Sequence, residues 1–387
     1  MDDEASEVPV TQSPPSPASP LFDEDLLLAV STAPELPRPA ACRLAAAWPA
    51  WRHTPTAERL GRFWGLSEQL AEHALRVRRE APQRAARERE HAAAVGAQVL
   101  TRMSPGYPAR LLCLSLPPAV LYVAGELPTG PGVTVVGARR ADAYGLEVAE
   151  LFSRELARAG AVVISGFARG IDAAAHRGAL ADPEGRTVAV LGCGLGVDYP
   201  RGQGRLAAEI AERGALVSEF PPGTPPASWQ FPVRNRVLAA LGQAALVVRA
   251  TERSGSLVTA KLALDLGRDL YAVPGRLFEA GSMGPNALLL AGAIPALHPS
   301  LILAGLDPPL AAAPSSPPVA MPEGPGGRLI AHLPPGEAVA AEDLAEATGL
   351  PLGEVAALLL ELELTEQVRR LPGGLFRRPL ALAEPLL

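Results

Sequence analysis

Lysine is nearly absent from this 387-residue chain: Lys261 is the only one among 35 basic residues, and the others are arginine. Arginine holds a phosphate through two parallel hydrogen bonds where an ammonium offers a point charge, but a biased genomic composition produces the same enrichment. Net positive charge is missing as well. At a formal charge of -6, a surface coated in positive charge is excluded, and any nucleic-acid site has to be a local patch. Cysteine is scarce: Cys42, Cys113 and Cys193 lie far apart and form no metal spacing. Neither a disulfide framework nor a zinc site is supported, and a reducing compartment, the cytoplasm, fits. Every apolar run is broken by charge, Gly or Pro, so no membrane span is expected. The opening Asp2, Asp3 and Glu4 has neither the basic start nor the apolar stretch of a signal peptide. Aromatic residues make up only 4% of a chain that is 48% hydrophobic, so the apolar mass lies in Ala, Leu and Val. That favours parallel strands covered by helices over an aromatic-rich sandwich.

The length exceeds one ordinary domain. Residues 1–20, acidic and rich in Pro and Ser, are expected to form a disordered tail. Residues 21–95 carry helical periodicity and read as a small helical domain of the SAM or helix-hairpin kind; in GLSEQLAEHALRVRRE, Ser67 can cap a helix on which Leu70, Ala74 and Val77 share a face. Within 96–305 the texture changes. After the strand-like AVLYVAG, buried-strand runs alternate with helices: GVTVVG, AVVISG, TVAVLG, ALVSEF, AALVVRA and DLYAVPG are separated by amphipathic stretches. Strands and helices at this rhythm predict a Rossmann-like, doubly wound, mainly parallel sheet in an α/β domain. Residues 306–325 read as a Pro/Ala/Ser linker, and 326–380 as three short helices and a hairpin turning at Pro372 to Gly374, a winged-helix domain.

Open α/β sheets bind ligands at the carboxyl ends of their strands, so the turns there are candidate sites. In VVGARRADAYG the strand stops at Gly137 and projects Arg139 and Arg140. In SGFARGIDAAAH, Gly166 and Gly170 let a backbone approach an anion, Ser165 can donate to it, and Arg169 stands at the helix entrance. Asp172 and His176, four residues apart, suit a catalytic pair or a structural one, and no nucleophile or metal partner sits at a telling spacing. GCGLGVDYP resembles a dinucleotide fingerprint only superficially, because Asp198, Tyr199 and Pro200 stand where a phosphate-binding helix should begin. A loop is expected there, with Cys193 as a small buried residue, and no cofactor. SEFPPGTPPASWQFPVRNR predicts an extended loop offering Trp229 and Phe231 beside Arg234, Asn235 and Arg236 at a helix start. Such a loop has the ingredients of a platform on which bases stack, although its aromatics can equally pin it to the core. In RSGSLVTAKLAL, Ser254, Gly255 and Ser256 crowd hydroxyls and amides at a helix N-terminus, an anion-binding layout.

Taken together and in order, SGFARGIDAAAHRGAL, AVLGCGLGVDYP, SEFPPGTPP, FPVRNR, SGSLVTA, AVPG and MGPNALLLAGA resemble the signature of the DNA-processing protein A (DprA/Smf) family, over about Tyr107 to Ala293. The resemblance implies a homodimeric protein that binds and protects single-stranded DNA in natural transformation, loads RecA recombinase and catalyses nothing. Carried over position by position, it implies strand-binding roles for Arg139, Ser165, Gly166, Arg169, Arg234, Asn235, Arg236, Ser254, Gly255 and Ser256. Two departures stand out. Arg249 ends the strand AALVVRA where the family usually has an acidic residue, so it either enlarges the basic patch or disturbs a capping contact, and AAL at 239–241 replaces the usual Ala-Gly-Leu turn. The presumed recognition helix of the winged-helix domain carries Glu354, Glu361 and Glu363 and no basic residue, so protein contact is expected of it rather than phosphate contact. The chief rival is a ribosyl-nucleotide hydrolase of similar Rossmann shape, but its PGG-GT loop is missing from the central domain. A NAD-dependent dehydrogenase lacks its full glycine fingerprint.

Overall fold

A computed structural model of the chain describes residues 20–46, 56–311, 324–334, 337–371 and 373–380. All of the acidic tail except Pro20, and residues 312–323 of the linker, lie outside them. Packing divides the chain into two units, and each is described by itself.

The first unit takes the described residues up to Ala124 together with Gly192–Val197 and Val217–Ala227. It holds five helices, α1 (Pro20–Thr32), α2 (Arg38–Ala46), α3 (Ala57–Trp64), α4 (Glu68–Arg79) and α5 (Ala81–Ala94). An antiparallel pair follows, β1 (Ala97–Thr101) with β2 (Val120–Gly125). The predicted cap is present: Ser67 Oγ accepts from the Leu70 amide at 3.3 Å, and Ala74 and Val77 below it are fully buried against Leu26, Leu44 and Leu60. The loop 192–197 is tied down by the Pro-rich segment. Cys193 is buried and its carbonyl accepts from Ser218 Oγ at 2.7 Å, while the Gly194 amide donates to Thr224 O at 2.9 Å. A Cβ at Gly194 would collide with the Pro221 carbonyl, so this glycine makes room for protein backbone and not for a pyrophosphate.

The second unit carries the parallel sheet. Strands and helices alternate along the chain as β3 (Gly132–Val136), α6 (Ala143–Arg158), β4 (Val162–Ser165), α7 (Ile171–Ala181), β5 (Thr187–Leu191), α8 (Gly204–Arg213), β6 (Ala215–Ser218, of which Val217 and Ser218 count with the first unit) and α9 (Gln230–Leu241). They continue as β7 (Ala244–Val247), α10 (Gly255–Asp265), β8 (Asp269–Ala272), α11 (Ala280–Leu290), β9 (Ile294–Pro295) and α12 (Pro299–Ala304). The strand order is β6-β5-β4-β3-β7-β8-β9, with parallel registers from β5 through to β9. Every residue of β3, β4, β5 and β7 is buried, as continuous apolar strands covered on both faces require. The faces separate with a period of two: Val133 and Val135 pack with Phe152, Leu156 and Ala174, whereas Val136 packs with Ala239, Ala260 and Ala263. The expected doubly wound α/β fold is the one observed. From β3 the chain winds outward through β4 and β5, then returns to lay β7 on the other side of β3, so the direction of winding switches between β3 and β7.

The chain then forms α13 (Pro325–Ala331), β10 (Val339–Ala340), α14 (Ala341–Thr348), α15 (Leu352–Leu364), β11 (Arg369–Leu371) and β12 (Leu375–Arg377). The three strands make a small antiparallel sheet in the order β10-β12-β11, and Leu329, Leu344, Val355, Leu359 and Val368 fill the core beneath the helices. Three helices with a hairpin wing are the winged-helix arrangement that the sequence suggested. Arg377 Nη2 meets Glu147 Oε2 of α6 at 2.5 Å, with both side chains more than nine-tenths buried.

Candidate nucleic-acid interface

The crevice at the carboxyl ends of β3 and β7, where the winding switches, is the place where an open α/β sheet leaves room for a ligand. A cavity of about 280 Å³ opens there. Its lining comes from the turn after β3 (Gly137, Arg139), the start of α7 (Ala168, Asp172), one face of α9 (Phe231, Arg234, Asn235, Leu238) and the start of α10 (Ser254, Gly255, Ser256, Val258, Thr259). Seven of the twelve residues singled out from the sequence therefore meet at one cavity: Arg139, Phe231, Arg234, Asn235, Ser254, Gly255 and Ser256.

The helix expected to start at Arg234 begins four residues earlier, so Phe231 lies on it and the extended stretch ends at Trp229. α9 starts at Gln230 with Trp229 as its N-cap, and Pro232 is tolerated because first-turn amides have no partner in the helix. Helical spacing then puts Phe231, Arg234, Asn235 and Leu238 on one face, the face that lines the cavity. Trp229 is 52% exposed, so it does not pin the loop to the core. The exposed Arg139 lays its guanidinium over the Phe231 ring at 5.0 Å, and Tyr199 approaches the same ring at 5.7 Å. The lip thus combines a cation with two aromatic faces.

Arg234 differs from Arg139. It is 5% exposed and its Nη1 donates to Gly166 O at 2.6 Å and to Val190 O, so it braces the ends of β4 and β5 while presenting part of itself to the cavity. Beside it lies Asp172, whose Oδ2 accepts from the Ala168 amide at 3.2 Å. Burial pushes the Asp172 carboxyl up from its ordinary value, against the opposing pull of Arg234. Two expectations are corrected here. Ser165 is fully buried and gives its hydroxyl to Val135 O at 2.6 Å, so it has none to offer an anion. A Cβ at Gly166 would stand 2.6 Å from Asp172 Oδ2 and 2.9 Å from Arg234, and one at Gly170 would enter the Ala138 and Arg139 backbone. Both glycines admit neighbouring protein atoms rather than a ligand backbone.

Asp172 and His176 are not a pair. His176 is fully buried, its Nδ1 shares a 2.7 Å hydrogen bond with Thr187 Oγ1, and burial drops its pKa to about 3. It stands in the fold as a neutral side chain within the β5 layer. Arg169 projects into solvent at the carboxyl end of β4 and donates to Arg201 O at 3.1 Å, extending the cationic rim beyond the cavity, and Arg236 is half-buried on α9 outside the lining. Arg249 does not join the rim. It is 4% exposed, paired with Asp142 at 2.7 Å and Glu279 at 2.8 Å, bonded to Ser282 Oγ, and covered by the Tyr144 ring at 5.1 Å. Asp142 caps α6 through the Gly145 amide, so Arg249 steadies the turn that carries Arg139. At the α10 start, Ser254 and Ser256 bond each other through their hydroxyls at 2.7 Å, and Gly255 is exposed between them. The sequence reading missed the aromatic contact of Tyr199 and the apolar wall of Leu238 and Val258; a Tyr in a loop after a sheet strand was the one signal available. Among the described residues no cluster of His, Cys, Asp and Glu could hold a metal ion.

Comparison with known proteins bears on this site. Residues 98–307 match the family model described as DNA recombination-mediator protein A, and residues 311–374 match that of the DprA winged helix domain. The chain is 42% identical to Protein Smf of Escherichia coli (strain K12), over 70% of this chain and 75% of that one. It is 40% identical to the DNA processing protein DprA of Bacillus subtilis (strain 168), over 51% of this chain and 67% of the relative. Among solved structures, DNA processing protein A from Streptococcus pneumoniae superposes with a TM-score of 0.63 at 27% identity, covering 73% of this chain and 98% of that one.

Proposed function

The chain belongs to the DNA recombination-mediator protein A (DprA/Smf) family, and from that premise we propose that its strand-end cavity binds single-stranded DNA without turning it over. One observation carries the reading: Arg139, the Phe231 ring and the start of α10 converge on a single cavity at the switch point of the sheet. A phosphate is held by the Arg139 guanidinium and the α10 N-terminus, where the helix dipole favours negative charge. A base stacks against the Phe231 and Tyr199 faces, at about 1 to 3 kcal/mol per base. Arg169, beyond the cavity, takes a neighbouring phosphate. Asn235 offers a polar side chain to a base edge, and Arg234 holds the floor.

The remaining parts of the reading are that the bound strand is protected and passed to RecA, that the protein works as a homodimer, and that it does so in the cytoplasm. The family's description as a recombination mediator supports the handover. Exposed apolar side chains at the two ends of α11 support self-association: Leu277 and Phe278 before it are 78 and 100% exposed, and Leu290 at its end is 92% exposed. No described helix is long and apolar enough to cross a membrane. Fluorescence anisotropy with single- and double-stranded oligonucleotides, run beside a nucleotide-hydrolysis assay, tests the central claim. Preference for single strands without hydrolysis is the expected result; hydrolysis of a nucleotide, with Asp172 as the cavity's acidic group, would replace this reading with an enzyme.

A further inference from the structure

In a winged-helix module that reads DNA, the second helix of the helix-turn-helix enters the major groove. Here that helix is α15, and its chemistry is wrong for a groove. One side, Val355, Leu359 and Leu362, is buried in the module. On the opposite side Leu360 and Leu364, one turn apart, are 58 and 77% exposed, with Gly353 and Ala357 exposed toward the helix start, so a short apolar strip faces outward. Glu354 and Glu361, seven residues apart and so on one helical line, are exposed along the edge of that strip, Glu363 is half-buried, and α15 has no basic residue. Exposed Glu342, Asp343 and Glu346 on α14 add to the negative field.

We infer that the exposed line of α15 is a docking surface for a basic amphipathic helix of another protein. Its leucines offer the i, i+4 contacts by which one helix lies along another, and its glutamates select a partner whose apolar stripe is flanked by Lys or Arg. Charge complementarity decides against the other occupants. DNA phosphates are repelled by Glu354 and Glu361. A second copy packed α15 to α15 about a two-fold axis sets glutamate against glutamate. The chain's own N-terminal segment has Asp2, Asp3, Glu4 and Glu7 and no basic residue before Arg38.

The test uses the full chain with two labelled synthetic peptides that share one leucine stripe, one with Lys and Arg flanks and one with Glu flanks, in anisotropy titrations. The basic peptide binds and the acidic one does not. Leu360→Arg weakens the basic peptide by about tenfold or more, and the double variant Glu354→Lys, Glu361→Lys reverses the preference. All these side chains are exposed, so melting temperature and single-strand binding stay unchanged, and failure here leaves the strand-binding proposal standing. Basic-peptide binding that survives Leu360→Arg overturns the inference, as does duplex binding or self-association that Leu360→Arg abolishes.

Discussion

The rim of the strand-end cavity and the exposed side of α15 are the two places where folds of these kinds ordinarily meet nucleic acid, and they carry opposite charge. Arg139 and Arg169 stand at the first, while Glu354 and Glu361 stand at the second. The winged helix keeps its scaffold, with Leu344, Val355 and Leu359 packed beneath, yet its outward residues disfavour a phosphate backbone. The difference teaches that an element's place in a fold fixes where a surface points, and that the side chains on that surface decide what it can meet.

Within the cavity region the arginines also divide, into those that face solvent and those that hold the protein together. Arg234→Ala strips Gly166 O and Val190 O of this donor and leaves the buried Asp172 with only the exposed Arg139 as a nearby cation, so it should cost about 3 to 5 kcal/mol of stability in a urea titration. A loss below about 1 kcal/mol would place Arg234 with the solvent-facing arginines instead. His176 gives the next effect. Its folded pKa of about 3 lies below the unfolded value near 6.5, so the unfolded chain binds more protons between those limits and stability rises with pH across that window. The contribution is complete above about pH 6.5 and is lost as the pH falls toward 3, with a slope approaching about 1.4 kcal/mol per pH unit. His176→Gln, which retains a hydrogen-bonding group toward Thr187, should flatten that slope; an unchanged slope would mean that His176 is not held neutral. Smallest of all is Glu361→Gln on α15: single-strand affinity should move by less than about twofold, since a single exposed charge outside the cavity lining is weakly felt through salt. A clear gain in affinity would show that the acidic helix and the basic rim act on the same strand.

The sheet was legible because its strands are uninterrupted apolar runs bounded by glycine turns, and β3, β4, β5 and β7 are buried along their whole length. The family resemblance and the gathering of Arg139, Phe231 and Ser254 could also be read before the fold was known. The rest depended on long-range geometry. The proline of FPVRNR makes the helix look as if it starts at Arg234, yet a proline in the first turn fits a helix that starts at Gln230, and only helical spacing brings Phe231, Arg234 and Leu238 to one face. Ser165 cannot be told from a ligand donor until the pleat of β4 aims its hydroxyl at Val135 O. Arg249 meets Asp142 across 107 residues of chain, a pairing that no local pattern encodes.

The most direct test of a basic strand-end site is the salt dependence of single-strand binding for the wild-type chain and for Arg139→Ala. Arg139 is exposed, so its removal should leave the fold intact while lowering the slope of log K against log salt by about 0.7, the share of one phosphate contact on a single strand. An Arg139→Ala protein that binds with the same affinity and the same slope would contradict the assignment of the strand to this cavity.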